Sequence, residues 1–291
     1  KEGLFAFAGF RGLRNNVSAE AFGPDDLELA ENVDIDDSLG IARRKGYSAP
    51  VTASVDRDLW ASGGVCLGVG SNALKRVNPD YTTTTLRSGL TAGRSLSYAG
   101  VGDRVFYANG VESGCVQDGA SRTWGLAVPG MPVAAATAGT LRAGLYQYAV
   151  TYLRDDDQES GAGRAGTIEL TAEGGISLSS LPVSTDPTVS YKAIYATSVG
   201  GGTLYRRGIV ANADTVFVIR DPQLDAAPLL TQFLAPPPAG DHVAYFNARA
   251  LVAVGSRLYP SEPYAPELFD HRKAVPFADR VTMVAPVRDG V

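Results

Sequence analysis

The chain is poor in the residues that carry covalent and metal chemistry. It has only two cysteines, two histidines, two methionines and two tryptophans in 291 residues. Cys66 and Cys115 lie in apolar, strand-like surroundings, which favours reduced core thiols over a disulfide. No zinc-type spacing of ligands occurs. His242 and His271 stand far from any serine or cysteine in an elbow-like context, so no nucleophilic triad is expected. No Gly-x-x-x-x-Gly-Lys-Ser/Thr loop is present to cradle phosphate. No apolar run approaches the roughly 20 residues that span a bilayer, and no signal peptide is recognised. The net charge is −5, which argues against broad adhesion to nucleic-acid phosphate, since that needs a basic face. The first residue is Lys1 and the last four are RDGV, so a fragment or processed product is expected.

What the chain has in abundance is glycine (33 residues), an ordinary apolar content of 45% and a charged content of 20%. With long amphipathic stretches scarce, this mix predicts an all-β fold rich in turns. A phrase recurs. Residues 66–79 read CLGVGSNALKRVNP and residues 251–263 read LVAVGSRLYPSEP, with a looser copy, RVFYANGVESGCVQDG, at 104–119. Each reads as an apolar strand, a tight turn and a second strand. In chain order the copies start 38 and then 147 residues apart, and removing 131–235 shortens the second interval to 42. A repeat of about 40 residues built from short strands is the signature of β-propeller blades. The predicted architecture is a partial β-propeller with an inserted β-sandwich. Residues 1–130 form the first propeller part, 131–235 the insertion and 236–291 the continuation. About 185 residues lie outside the insertion, enough for four blades at most.

Along the chain, residues 5–16 form a Gly-rich apolar opening and 25–32 can make one short helical turn. Residues 32–47 read as strand, turn, strand, with Asp36 and Gly40 supplying the turn. Arg43, Arg44 and Lys45 read as a solvated strand end rather than a nucleic-acid site. Strands are expected at 81–86, 95–102 and 104–109, and Asn109-Gly110 suits a two-residue hairpin turn. Linker signals stand at 129–132 and 236–238. Between them, strands at 144–152, 166–170, 175–181, 191–197, 203–210 and 214–219 give the even spacing of a β-sandwich. Gly200-Gly201-Gly202 reads as a hairpin tip.

No residue is assigned a catalytic, cofactor-binding or metal-ligating role, and the chain is expected not to be an enzyme and to need no cofactor. Asp155, Asp157 and Glu159 alternate as in a calcium loop but lack its glycine and distal glutamate; a solvated hairpin is expected. Residues 118–124 (DGASRTW) approach the Asp-box of sialidase propellers, but Asp118 and Gly119 are adjacent, so a blade turn with Trp124 in the core is expected. Glu262, Glu267 and Asp270 supply carboxylates of the kind glycosidases pair across a cleft. Ser261-Glu262-Pro263 reads instead as a cap in which hydroxyl and carboxylate bond backbone amides.

The segments NVDIDDSLGIARRKGY (32–47) and YFNARALVAVGSRLYPSEPYAPELFD…VTMVAPVRDG (245–290) resemble tail hub or nozzle proteins of bacteriophage virions, among them packaged-DNA stabilisation and tail-tube B proteins. Residues 144–163 (GLYQYAVTYLRDDDQESGAG) and 191–210 (YKAIYATSVGGGTLYRRGIV) resemble their fibronectin type III-like modules. The resemblance implies a structural virion protein of the tail, made in the host cytoplasm. It would form a ring, sixfold by that resemblance, joining portal or adaptor and other tail proteins to distal parts or fibres. Viral DNA would pass through without sequence-specific binding, helped by the acidic balance, and no membrane partner is implied. The rival reading is a carbohydrate-binding or glycan-degrading propeller, in which Tyr245, Tyr259, Tyr264 and Phe269 would line the groove.

Overall fold

A computed structural model of the chain describes residues 12–13, 18–23, 26–27, 29, 31–38, 40–46, 54–222 and 227–288. The described residues are all-β, with two short 3-10 turns, Ala19–Ala21 and His271–Lys273, and no α-helix. The chain divides into two compact units, Lys1–Thr52 and Ala53–Val291.

In the first unit, β1 (Gly12–Leu13) pairs parallel with β2 (Asp26–Leu27). The helical turn expected at 25–32 is therefore not formed at 26–27, where the chain is extended; a 3-10 turn lies earlier. Most of the apolar opening at 5–16 falls outside the described residues. β3 (Val33–Ile35) and β4 (Ile41–Arg43) form the expected hairpin. Its turn is organised by Asp36, whose Oδ1 accepts from the amides of Ser38 and Gly40.

The second unit contains three antiparallel meanders of four consecutive strands. The first is β5 (Arg57–Ser62), β6 (Val65–Gly70), β7 (Ala73–Val77) and β8 (Thr83–Arg87). The second is β9 (Ser97–Val101), β10 (Arg104–Ala108), β11 (Ser113–Gln117) and β12 (Ala120–Arg122). An insert follows, with β13 (Val133–Leu141), β14 (Gly144–Arg154), β15 (Gly166–Leu170), β16 (Gly174–Ser179), β17 (Val189–Ala196), β18 (Tyr205–Ala211) and β19 (Phe217–Ile219). The third meander is β20 (His242–Phe246), β21 (Arg249–Val254), β22 (Arg257–Glu262) and β23 (Ala265–Phe269), with β24 (Val275–Pro276) also pairing β22. Each recurring phrase in the sequence is the second and third strand of a meander.

Alternation along a strand decides which meander meets which, because successive side chains leave opposite faces. In the second meander, Val105, Tyr107 and Val116 point to one face and join Leu67, Val69 and Leu74 of the first. Phe106, Ala108 and Cys115 point to the other and join Val243, Ala250 and Val252 of the third. The second meander is thus covered on both faces, and each of its fully buried large side chains contributes about 1.5–3 kcal/mol. The first strands lie together: β9 packs against both β5 and β20.

The expected hairpin at Asn109-Gly110 is a four-residue loop instead. Ala108 pairs with Ser113, and Asn109 Oδ1 accepts from the amides of Val111 and Glu112. The asparagine side chain closes a turn of its own, which outcompetes the tighter one. Two-residue turns do occur at Asp118-Gly119 and Asn247-Ala248, where both residues adopt positive φ.

In the insert, a three-stranded sheet ordered β13-β16-β19 faces a four-stranded sheet ordered β15-β14-β17-β18. Tyr146, Tyr148, Val150, Ile176, Leu178 and Ile194 fill the space between them. The outer face of the larger sheet, with Ala149, Ala193 and Tyr195, is covered by Ala162, Leu204 and Leu229. The segment carrying Leu229 is tied down by bonds from Leu229 N to Leu204 O and from Ala162 N to Thr231 O. A buried lysine pegs the block: Lys192 is fully covered and donates to the carbonyls of Pro182 and Asp214. Burial lowers its pKa, partly offset by the Asp214 carboxylate.

Candidate functional site

A cleft of about 690 Å³ opens where the first meander, the second meander and the insert converge. Its walls come from β8, from β11 and β12, and from the 184–188 turn of the insert. That volume is within the roughly 300–1,000 Å³ of typical ligand sites, which favour such junctions.

A bulge aims the key side chain. β8 pairs with β7 through Thr85↔Lys75 and then Arg87↔Leu74, so Leu86 is an extra residue. Bulges redirect the strand that bears them. Leu86 packs on the core shared with the second meander. Arg87 reaches across to that meander, where its Nη1 donates to Ser113 O at 2.8 Å and to Tyr107 Oη at 3.2 Å. Its guanidinium also lies 5.9 Å from the centre of the Tyr107 ring. Tyr107 is held in turn by Ser121, 2.7 Å from hydroxyl to hydroxyl. Gly114 makes room for this ring, since a Cβ there would sit 2.3 Å from Tyr107 Oη.

The opposite wall is fixed by Asp186. It accepts from Thr123 Oγ1 at 2.6 Å and from the amide and hydroxyl of Thr188. Burial works to raise its pKa, but these bonds and the Arg154 charge outweigh it and hold the carboxyl below the ordinary range. Arg154, whose side chain is 2% exposed, lies 3.8 Å from Asp186. It donates to the Thr123 carbonyl and hydroxyl and to Gln158 Oε1. On the surface beside it, Arg122 pairs with Asp155 at 3.5 Å and Asp156 at 3.4 Å. The insert is therefore clamped to β12 by charge-assisted bonds, and the cleft wall is preformed.

The residues singled out from the sequence are placed elsewhere. Asp155 faces Arg122, Glu159 Oε1 accepts from Thr151 and Tyr195, and Asp157 sits at a positive-φ turn position. These three carboxylates do not converge, and no cluster of metal-ligating side chains occurs among the described residues. Glu262 pairs with Lys273, Glu267 with Arg104, and Asp270 caps the 3-10 turn and binds Arg272. Of the expected cap at 261–263, the hydroxyl half is present, with Ser261 Oγ accepting from Ala250 N. The Glu262 carboxylate instead serves Lys273, because the lysine offers a full charge where an amide offers a dipole.

Phe269 is fully buried, Tyr245 and Tyr259 are half-buried against the same core, and Tyr264 is 86% exposed on a turn. They form no common groove, and among the described residues no aromatic side chain lines the cleft. His242 lies at the start of β20, and His271 Nε2 meets Pro236 O at 2.9 Å. Cys66 and Cys115 are free thiols. Trp124 is buried with Phe106 and Phe269, as the turn reading expects. Arg43, Arg44 and Lys45 are exposed, with Arg44 paired to Asp34 at 3.0 Å. No described helix is long and apolar enough to cross a membrane.

Sequence reasoning missed the cleft. Arg87, Ser121 and Asp186 are far apart in the chain and share no local motif. The only hint was Arg87 at the end of a β-branched run, where a strand end in water reads the same. No protein-family model matches this chain, and no curated protein matches it in sequence.

Proposed function

We propose that this chain is a structural protein of a bacteriophage tail, a segment of a β-propeller that builds a ring around the DNA exit channel. The observation that supports it best is the arrangement of the three meanders. Their first strands, β5, β9 and β20, lie side by side, and the second meander is covered on both faces by its neighbours. Blades of a propeller stack in this way around an axis lined by their first strands. Three blades do not close a circle, and further copies or parts would complete it. Cyclic assembly by head-to-tail contacts does this with one kind of surface.

The insert fits a fibronectin type III-like module. With β13 to β18 as strands B, C, C′, E, F and G, the larger sheet has the order C′-C-F-G and strand B pairs with E. Strand A has no counterpart, and β19 lies beyond E instead. Projecting from between two blades, the module would decorate the ring or meet fibres, and the acidic chain would let DNA pass without adhering.

Native mass spectrometry of the full chain tests the reading. A closed oligomer of defined copy number is expected, six by the sequence resemblance. A monomer across the micromolar range overturns it.

A further inference from the structure

We propose that the cleft between the first two meanders and the insert is a docking site for an extended, largely apolar segment of a partner protein, whose one carboxylate is received by Arg87. The inference is independent of the ring reading above, because it rests only on the walls of the cleft.

The first ground is charge. Arg87 is half-buried and held in one pose by Ser113 O, Tyr107 Oη and the face of the Tyr107 ring. Both bonds use Nη1, so Nη2 and Nε remain for a ligand. Among the described residues no carboxylate comes within ion-pair distance of it, although its charge acts on Glu112 and helps to hold that carboxyl below its ordinary pKa. The nearby Glu112 spends Oε1 on Thr91 and Oε2 on Asn109. The other charges at the cleft are paired within the chain, Arg122 with Asp155 and Asp156 and Asp186 with Arg154. A fixed guanidinium with an open fork is the geometry that takes a carboxylate in two parallel bonds.

The second ground is the shape of the ligand this charge sits in. Leu86, Ala127, Pro187 and Pro236 make the rest of the cleft largely apolar, and the Thr185 hydroxyl adds a neutral polar point. One wall is β8, which among the described residues pairs with β7 alone, so no described strand occupies its other edge. A free edge accepts an extended chain through main-chain bonds. With no aromatic platform among the described lining residues, sugar rings and bases find nothing there to stack on. An apolar extended peptide with one carboxylate matches all three features.

The test is selection of a random dodecapeptide display library against the full-length protein, followed by fluorescence-polarisation affinities for the enriched peptides. The expected result is a consensus with an Asp or Glu inside an apolar stretch. Replacing that residue by Asn or Gln should weaken binding about tenfold or more, and so should Arg87→Gln. Ala127→Glu serves as the second variant, because Ala127 is exposed and its change adds a competing carboxylate without touching the core. It should weaken binding equally, with thermal unfolding unchanged. The proposal is overturned if no peptide is enriched, if the enriched peptides lack an acidic position, or if Ala127→Glu binds as wild type does. Displacement of every peptide by millimolar inorganic phosphate, with no acidic consensus, would reassign the cleft to free anions.

Discussion

The indole Nε1 of Trp124 donates a 2.8 Å hydrogen bond to the carbonyl of Pro266, 142 residues further along the chain. Trp124 follows the last strand of the second meander and Pro266 lies in the last strand of the third, so this bond spans the whole insert. The ring also lies 5.0 Å from Phe106 and edge-on to Phe269 at 6.1 Å. Trp124→Ala should lower unfolding free energy by about 3–5 kcal/mol, the usual cost of a large buried cavity. Trp124→Phe, which keeps most of the packing and orphans the Pro266 carbonyl, should cost about 1–3 kcal/mol. Denaturant titration of both variants measures the difference. Equal, sub-kilocalorie losses would show that the two meanders do not depend on this contact.

Two neighbouring arginines at the base of the insert should behave differently. Arg154 is almost fully covered, and its removal strands Asp186 and the Thr123 carbonyl, so Arg154→Ala should cost about 3–5 kcal/mol. Arg122 meets carboxylates that reach solvent, 53% and 29% exposed. Arg122→Ala should therefore cost under about 1 kcal/mol. Chemical denaturation separates the two, and high salt should weaken only the Arg122 contribution.

Asp186 and Glu267 should give opposite pH dependences. The folded pKa of Asp186 is depressed, so its stabilisation is complete above the ordinary aspartate value of 3.8 and is lost as pH falls through the folded value. Asp186→Asn should melt lower than wild type at pH 7, with the gap closing below pH 3.8. Glu267 is raised, chiefly by burial, with Arg104 opposing. The cost to stability therefore sets in as pH rises above the ordinary glutamate value of 4.5, is complete above the folded pKa, and vanishes below 4.5. Glu267→Gln should melt higher than wild type at pH 8 and converge with it in acid. Thermal melts between pH 3 and pH 8 decide both.

The two thiols should differ in reactivity. Burial pushes Cys115 up to about 12, so at pH 8 it is protonated as well as covered, and the thiolate is the reactive form. Cys66 is only half-buried. Ellman titration should find one reactive thiol in native protein and two in guanidinium. Two fast-reacting thiols in the native state would contradict the packing of β11 between its neighbours.

The strands legible in the sequence are short apolar runs between Gly or Asx turns, such as 66–79 and 251–263, whose first strands are buried on both faces. β13 was not singled out, since VAAATAGTL is short-chained and offers little hydrophobic contrast; its pairing with β16 holds it in place. The four-residue loop at Asn109 was missed because the same dipeptide suits two turns, and Glu112 tips the choice by accepting from Asn109 Nδ2. The cleft could not be read at all. It depends on a bulge at Leu86 that no glycine or asparagine announces, and on three walls that meet only in the folded chain.

A cryo-EM reconstruction of the native assembly tests the central claim most directly. The account predicts a cyclic particle in which the meanders are stacked about an axis and β5, β9 and β20 line the inner surface. A reconstruction without cyclic symmetry, or one with β8 and β12 facing the axis, would contradict it.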